Sequence, residues 1–390
     1  MKYTALDIFA GAGGISLGLE KAGIEVVAAV EKDKWACETY VYNHNNKTVF
    51  EADIQQLDDE FFSQFKNVDI LVGGPPCQGF SIAASNRRKE FDARNFLYKE
   101  YLRIAKVTQP KILLIENVKE LAKFVLPDGS LLIEDILKNL EELGYKYTYD
   151  VINTRYYGIP QERKRFFLIG VKESLNIELD NINNLLKPYL KNEVSVNEAI
   201  GDLPNVKPRE LKEDDLLDYI NKPQNEYQKE MRLNSQKIYN HIPMKHTAKT
   251  VEKFSFILEN RKYDELPERL KARERSNPMN VSKSKFEQNH RILNGEKVSP
   301  TITASFYSSF IHPNQPRNIT VREAARLQSF PDDFVFKGKR TTLSKKLLEK
   351  KGIKDELYLD QFNQVGNAVP PKLCEYFGLI FKDLLKERKK

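Results

Sequence analysis

Residues 3–31 read YTALDIFAGAGGISLGLEKAGIEVVAAVE. Tyr3–Ala10 is a short apolar run with the character of a strand, and it ends in glycines. Ile15–Ala22 has helical spacing and stops at Gly23, and Glu25–Glu31 is a second strand that ends in an acid. Strand, glycine turn, helix, strand is the opening of a parallel α/β unit. Glycines at the turn let a ligand approach the backbone closely. Glu31 lies 20 residues after Gly11, where an acid meets ribose hydroxyls in nucleotide-binding sheets. Ser16 occupies the position of the third glycine of G-x-G-x-x-G, and no Gly-Lys-Ser/Thr follows, so the turn is neither a dinucleotide fingerprint nor a P-loop. A glycine turn after a strand is also a common structural device, so the rest of the chain has to decide.

The alternation continues outward. Lys34–Tyr42 reads as a helix, Thr48–Ala52 and Asp69–Gly73 as strands, Phe96–Lys106 as a helix, Lys111–Ile115 as a strand and Leu131–Leu143 as a helix. Tyr145–Asn153 and Phe166–Val171 are two further strands. Apolar strands interleaved with helices predict a mainly parallel sheet covered on both faces. After Lys172 the pattern changes: Asn, Lys and Glu become frequent, prolines punctuate the chain, and 175–300 holds no sustained period. That predicts an irregular second domain with a boundary near 172–190. Thr320 and Glu323 fit a capping box for a helix over Thr320–Gln328. Residues 337–356 read as a basic exposed insertion, and Lys372–Leu385 as a last helix.

The chain has 390 residues, 41% hydrophobic and 30% charged, which suits two or three folded domains and excludes wholesale disorder. No apolar run reaches membrane-span length, Asp7 interrupts the first apolar stretch where a signal peptide would need none, and the three cysteines have no metal-ligand spacing. A cytoplasmic protein without disulfides or a metal is the expectation. Residues 231–300 carry fifteen Lys and Arg against eight Asp and Glu, an excess equal to the net charge of +7. A basic region on a neutral body suits a polyanion partner. A solvated, salt-bridged face is the other reading, because Glu252, Glu259, Glu268 and Glu274 are interleaved.

The unusual residues fall at strand ends. Gly11–Gly14 follow the first strand, Glu31 ends the second, Asp53 follows the third, Pro75-Pro76-Cys77 follow the fourth, and Glu116 ends the fifth. Open α/β sheets bind ligands at the carboxyl ends of their strands, so these segments converge on one edge. A lone cysteine is most often a small buried hydrophobe. Cys77 sits instead in Gly73-Gly74-Pro75-Pro76-Cys77-Gln78-Gly79-Phe80-Ser81, its backbone fixed by prolines at a ligand edge where a thiolate nucleophile is useful. A zinc deaminase would need a second cysteine at position 80, which is Phe80. A methylase of exocyclic amines would carry Asp/Asn-Pro-Pro-aromatic here.

With these blocks the chain resembles the DNA (cytosine-5)-methyltransferases of bacterial restriction–modification systems. The matching segments are Asp7–Gly14, Gly73–Ser81, Glu116-Asn117-Val118, Tyr157–Arg165, Arg322–Gln328 and Gln364–Pro370, in the family's order. The resemblance implies a Rossmann-like S-adenosylmethionine-dependent α/β sheet over 1–180 plus 357–390, and a smaller, irregular target-recognition domain over 181–356. Double-stranded DNA is expected in the cleft between them, with the target cytosine flipped out. The resemblance makes Cys77 the nucleophile that adds at C6, Glu116 the acid at N3, and Arg163 and Arg165 the pair that braces the flipped base.

For S-adenosyl-L-methionine it implies Phe9 against the adenine, Ala10, Gly11, Gly13 and Gly14 along the turn near the methionine part, Glu31 at the ribose, Asp53 and Ile54 at the adenine, and Gly74, Pro76, Leu97, Asn367 and Val369 around the rest. Some members have an aromatic residue after the ribose-binding acid; here it is Lys32, and Trp35 is expected in the core. Gln78, Ser81, Arg273, Arg275 and Arg291 are the expected DNA contacts. A cognate restriction endonuclease is the implied functional partner, with no membrane partner and a monomeric chain. Two rivals remain: a tRNA methylase of the same family, whose Cys-Phe-Thr tripeptide is absent, and an inactive DNA-binding module, against which Cys77, Glu116, Arg163 and Arg165 weigh.

Overall fold

Alternate residues of the central strands face two different apolar cores. Ile70, Val72, Ile112 and Leu114 join one, while Leu71, Leu113 and Ile115 join the other. This period of two is what a sheet buried on both faces demands. The computed structural model describes residues 2–45, 48–76, 96–126, 128–213, 215–260, 265–274, 277, 279–281, 290–342, 345–353 and 356–387. Its chain forms two units, Met1–Asn192 with Ala368–Lys390, and Glu193–Asn367.

The strands of the first unit are β1 (Thr4–Ile8), β2 (Glu25–Glu31), β3 (Val49–Glu51), β4 (Ile70–Gly73), β5 (Ile112–Val118), β6 (Tyr145–Asn153), the two-residue β7 (Gln161–Glu162) and β8 (Lys164–Lys172). Its main helices are α1 (Gly14–Lys21), α2 (Lys34–Asn43), α3 (Asp59–Ser63), α4 (Leu97–Thr108) and α5 (Leu132–Glu142). The sheet order is β3-β2-β1-β4-β5-β8-β6. The first five strands are parallel, as the strand–helix alternation predicted. β8 runs antiparallel to both β5 and β6, because the connection from Asn153 to Lys164 is too short for a parallel crossover. From β1 the chain steps outward to β2 and later returns on the other side to β4, so the topological switch point lies between β1 and β4.

β1 is shorter than the expected Tyr3–Ala10, because Phe9 adopts a left-handed φ of 59° and breaks the extended backbone. α4 outruns its expected end at Lys106 and stops where Gln109 turns left-handed. The C-terminal helix Pro371–Glu387 returns to α1, and two glycines let the helices meet. A Cβ on Gly18 would strike Pro371 O and Cys374 Cβ, and one on Gly378 would lie 2.6 Å from Ala22 Cβ. The unit boundaries fall later than expected. Tyr189 stacks on Tyr376 and Lys191 N donates to Tyr156 O, which keeps 181–192 with the sheet. Gln328 Nε2 donates to Val365 O and Gln364 Nε2 to Lys337 O, which keeps helix Gln361–Asn367 with the second unit.

The second unit is built from short helices and loops, with two corrections to the sequence reading. A 13-residue helix, Ala248–Asn260, lies inside the stretch without a sustained period. Only Phe254 and Ile257 are fully buried along it, so its apolar stripe is too narrow to rise above the surrounding Lys and Glu. The 337–356 insertion is tied down: Leu348 is 1% exposed, and Arg340 donates to Ile242 O and Glu213 Oε1. The Thr320/Glu323 capping box forms as expected on Val321–Leu327.

Candidate active site

The turn after β1 is shaped by Gly11 (φ 55°) and Gly13 (φ 91°), both left-handed. A Cβ on Gly11 would meet nothing within 4 Å, so the backbone there borders open space. Gly11 N donates to Glu31 Oε2 at 2.9 Å, and Lys32 N and Asp33 N donate to Glu31 Oε1 at 2.9 and 2.8 Å. Three donors leave a carboxylate with acceptor capacity for a hydroxyl. Burial raises the Glu31 pKa against those bonds. Asp53 Oδ1 accepts from Gln55 N, and Asp53 Oδ2 lies 3.9 Å from Lys32 Nζ, so the residue in the aromatic position is turned to an ion pair instead. Ile54 and Leu97 are buried, Val369 packs in the core with Ala5 and Ile15, and Trp35 is buried as expected. Asn367 ends a helix of the second unit, so the two residues expected to close the pocket belong to different units.

Gly73 pairs with Ile8 across the switch point, and its missing side chain lets the strands close on the Ile8 carbonyl. The segment Gly74-Pro75-Pro76 then leaves the sheet beside β5. Asn117 Nδ2, buried, donates to Pro75 O at 2.9 Å and pins the approach to position 77. A Cβ on Gly74 would lie 3.0 Å from Glu116 Oε2, so the glycine makes room for that carboxyl. Glu116 Oε1 is 3.3 Å from Arg165 Nε, a pair set by the β5–β8 register, in which Val118 opposes Arg165. Burial raises the Glu116 pKa, and the Arg165 and Arg163 guanidiniums oppose the shift. Arg163 is 1% exposed, and burial beside Arg165 pulls its pKa well down. The Arg163 backbone is held by Thr154, whose N–H donates to Arg163 O and whose Oγ1 accepts from Arg163 N.

The structure thus brings Glu116, Arg163 and Arg165 together beside the Pro75-Pro76 segment. Cys77, Gln78, Ser81 and Arg275 lie outside the described residues. Cys37 and Cys374 are buried, and burial raises both thiols above their ordinary value, so neither is a thiolate. Arg273 Nη1 donates to Met279 O and lies 3.6 Å from Glu268, while Arg291 is exposed over the Phe310 ring.

A buried polar chain under the glycine turn was not foreseen. Asp7 Oδ2 accepts from Ser16 Oγ at 2.6 Å, Ser16 Oγ accepts from Tyr40 OH, Tyr40 stacks on His44 at 4.2 Å, and His44 Nδ1 is 2.8 Å from Glu20. Gly13 rests directly on this His44 ring. The signal was Asp7 inside an apolar strand and Ser16 in place of a glycine. Burial pushes the Asp7 carboxyl up to about 7. A raised acid favours folding below its unfolded pKa, and that stability is lost as pH rises through the folded value. Wild type should therefore lose, relative to Asp7→Asn, on the order of 4 kcal/mol between pH 4 and 8. Urea unfolding of both proteins across this range checks it; parallel profiles would mean that Asp7 ionises freely.

Against this geometry, the family model for C-5 cytosine-specific DNA methylases matches residues 3–382. The chain belongs to that family. The methylase is 38% identical over 371 residues to the type II methyltransferase M.DdeI of Desulfomicrobium norvegicum, covering 95% of this chain and 86% of that one. It is 34% identical over 379 residues to the type II methyltransferase M1.HphI of Haemophilus parahaemolyticus, covering 96% and 85%. An E. coli prophage protein described as a DNA modification methyltransferase shares its structure with a TM-score of 0.74 at 25% identity, over 99% of this chain and 100% of that one. Spodoptera frugiperda DNMT2, at 15% identity and a TM-score of 0.61 over 98% and 100%, shares the fold.

The fold is the Rossmann-like methyltransferase sheet. The enzyme transfers a methyl group to C5 of cytosine in DNA, with S-adenosyl-L-methionine as donor. The edge fits that donor: Gly11 leaves its backbone open, and Glu31 keeps acceptor capacity. Among the described residues no helix is long and apolar enough to cross a membrane.

Proposed function

We propose that the enzyme methylates one cytosine within a specific duplex sequence, and that Cys77, Glu116, Arg163 and Arg165 carry the reaction. The observation that supports this most is the buried Glu116 with its raised pKa, braced by Arg165 and facing Gly74 of the segment that leads to Cys77. Cytosine C5 is too poor a nucleophile to take a methyl group unaided. The Cys77 thiolate adds at C6 and forms the S–C6 bond. The C5=C6 pair shifts to C4=C5 and the C4=N3 pair to N3, to which Glu116 donates a proton or a hydrogen bond. Burial raises the pKa of this carboxyl, which favours that donation. Arg163 and Arg165 place fixed positive charge where the O2 carbonyl oxygen of the base gains density. The donor supplies the methyl group to C5. Loss of the C5 proton to a base then re-forms C5=C6, the S–C6 pair leaves with sulfur, N3 gives its proton back to Glu116, and Cys77 and Glu116 are both regenerated.

Around the cofactor, the Gly11–Gly14 backbone borders the methionine part, Glu31 takes the ribose hydroxyls, and Phe9, Asp53 and Ile54 take the adenine. Gly74, Pro76, Leu97 and Val369 line the remainder, and Asn367 is assigned to the cofactor as well. That unit reads the target sequence. In its host's cytoplasm the monomeric enzyme protects DNA from a cognate restriction endonuclease, a role in keeping with the type II relatives.

Glu116→Gln tests the central assignment. The amide keeps the shape but cannot give N3 a proton. Turnover should fall by about 10²–10⁴-fold, while the dissociation constants for S-adenosylmethionine and duplex DNA change little. Near-normal single-turnover rates would make Glu116 a structural residue.

A further inference from the structure

Ion pairing sorts the basic residues of 231–300. Arg232 pairs with Asp202, Lys237 with Asp218, Lys245 with Glu213, Arg269 with Glu252, and Arg273 lies beside Glu268. These cations are neutralised within the protein. Lys249 and Lys253 stand one turn apart on helix Ala248–Asn260, and Arg291 begins the strand Arg291–Ile292. No carboxylate among the described residues lies within ion-pair distance of these three.

Lys253 is the unusual member, because it is half-buried. Its Nζ lies 3.3 Å from His290 Nε2 and 5.3 Å from the Phe254 ring centroid. Burial and the neighbouring Lys249 lower its pKa, and Lys253 in turn helps lower that of His290 to about 4. His290 and Arg291 both line a cavity of about 700 Å³, together with Asn197, Asn294 and Asn314, with Ile257 one turn beyond Lys253, and with Glu296, whose carboxylate accepts from Asn197 Nδ2. A half-buried ammonium costs free energy unless an anion meets it. Among the described residues Lys253 Nζ meets an imidazole nitrogen rather than a carboxylate.

We infer that Lys253, with His290 and flanked by Lys249 and Arg291, binds one backbone phosphate of the substrate duplex. The proposal rests on the reading of this chain as a duplex-DNA methylase. A phosphodiester suits the site because it brings one negative charge and two acceptor oxygens. Lys253 supplies a compact charge, and the His290 imidazole, accepting from its Nζ, holds that charge in place. The contact fixes the position of the duplex and carries no base information. It also moves the assignment of the DNA face away from Arg269 and Arg273, whose charges are already spent on Glu252 and Glu268.

The experiment measures binding to cognate and scrambled duplexes at several salt concentrations, with methyl transfer followed on the same samples. Lys253→Gln should flatten the slope of log K against log salt by about 0.9, and weaken both duplexes roughly tenfold at ~0.1 M salt. Lys253→Arg should restore the slope, and Lys237→Gln, which removes a cation already paired, should leave it unchanged. Thermal unfolding of each variant separates lost contact from lost fold. An unchanged slope in a folded Lys253→Gln protein overturns the proposal. So does a loss confined to the cognate duplex, which would make Lys253 a base reader. Protection by inorganic phosphate equal to that by duplex would assign the site to free phosphate and overturn it as well. If wild type neither binds nor methylates duplex DNA, the functional reading fails with it; if wild type methylates normally and only the slope test fails, the phosphate assignment alone is lost.

Discussion

Cys77→Ala is expected to abolish methyl transfer, by on the order of 10⁴-fold or more, while S-adenosylmethionine still binds. Without the S–C6 bond, C5 keeps its aromatic electron demand, and neither Glu116 nor the arginines can supply the missing electron pair. Binding should survive, because the approach to position 77 is set by other residues. Asn117 holds Pro75, Gly73 closes on Ile8, and the glycine turn is fixed by Glu31. The check is methyl incorporation beside covalent trapping with a cytosine analogue that cannot release the thiol. Wild type should give a stable DNA adduct, and Cys77→Ala none. Cys37→Ala and Cys374→Ala should trap normally, since both thiols are buried with raised pKa values. Substantial methylation by the Cys77 variant would remove covalent addition from the mechanism.

The sheet and its chemistry were legible because each rests on local sequence. A run such as Asp69–Gly73 is apolar at every inward position, so its strand is visible without its neighbours. The convergence of Glu31, Asp53, Pro75 and Glu116 follows from strand ends alone. The strand order does not, because it depends on which side of β1 the chain returns, a tertiary choice no local pattern records. The polar chain beneath the turn escaped for the same reason. Asp7, Ser16 and Tyr40 are ordinary residues until folding stacks them under Gly13. In the second unit the charge count found a basic region but not which cations are free. That depends on pairings such as Arg269 with Glu252, 17 residues apart. The helix Ala248–Asn260, with two fully buried residues, gave too little periodicity to be seen.

The buried ions of the second unit lead to the largest expected loss of stability. Arg326 is fully buried and donates to both carboxylate oxygens of Asp332 at 2.9 and 2.6 Å, to Asp202, and to Ala199 O. Asp332 also accepts from Tyr219 OH at 2.6 Å, and Asp202 is 3.1 Å from Arg232. The two carboxylates raise the Arg326 pKa, so it stays charged at any working pH. Replacing a buried pair entirely by apolar groups can be neutral, but removing one partner strands the other's charge. Arg326→Met should therefore cost about 3–5 kcal/mol, the arginines and tyrosine that remain giving only partial compensation. Adding Asp332→Asn removes one stranded charge and should recover part of the loss. The single tryptophan, Trp35, lies in the first unit, so its fluorescence follows that unit while the far-ultraviolet circular dichroism follows the whole chain. In urea, Arg326→Met should lower the midpoint of the dichroism transition while the Trp35 transition shifts less. S-adenosylmethionine should still bind, and duplex binding should fail. A dichroism shift worth less than about 1 kcal/mol would mean that Arg232, Arg322 and Tyr219 already balance both carboxylates, and that the Arg322–Gln328 block is not held for stability.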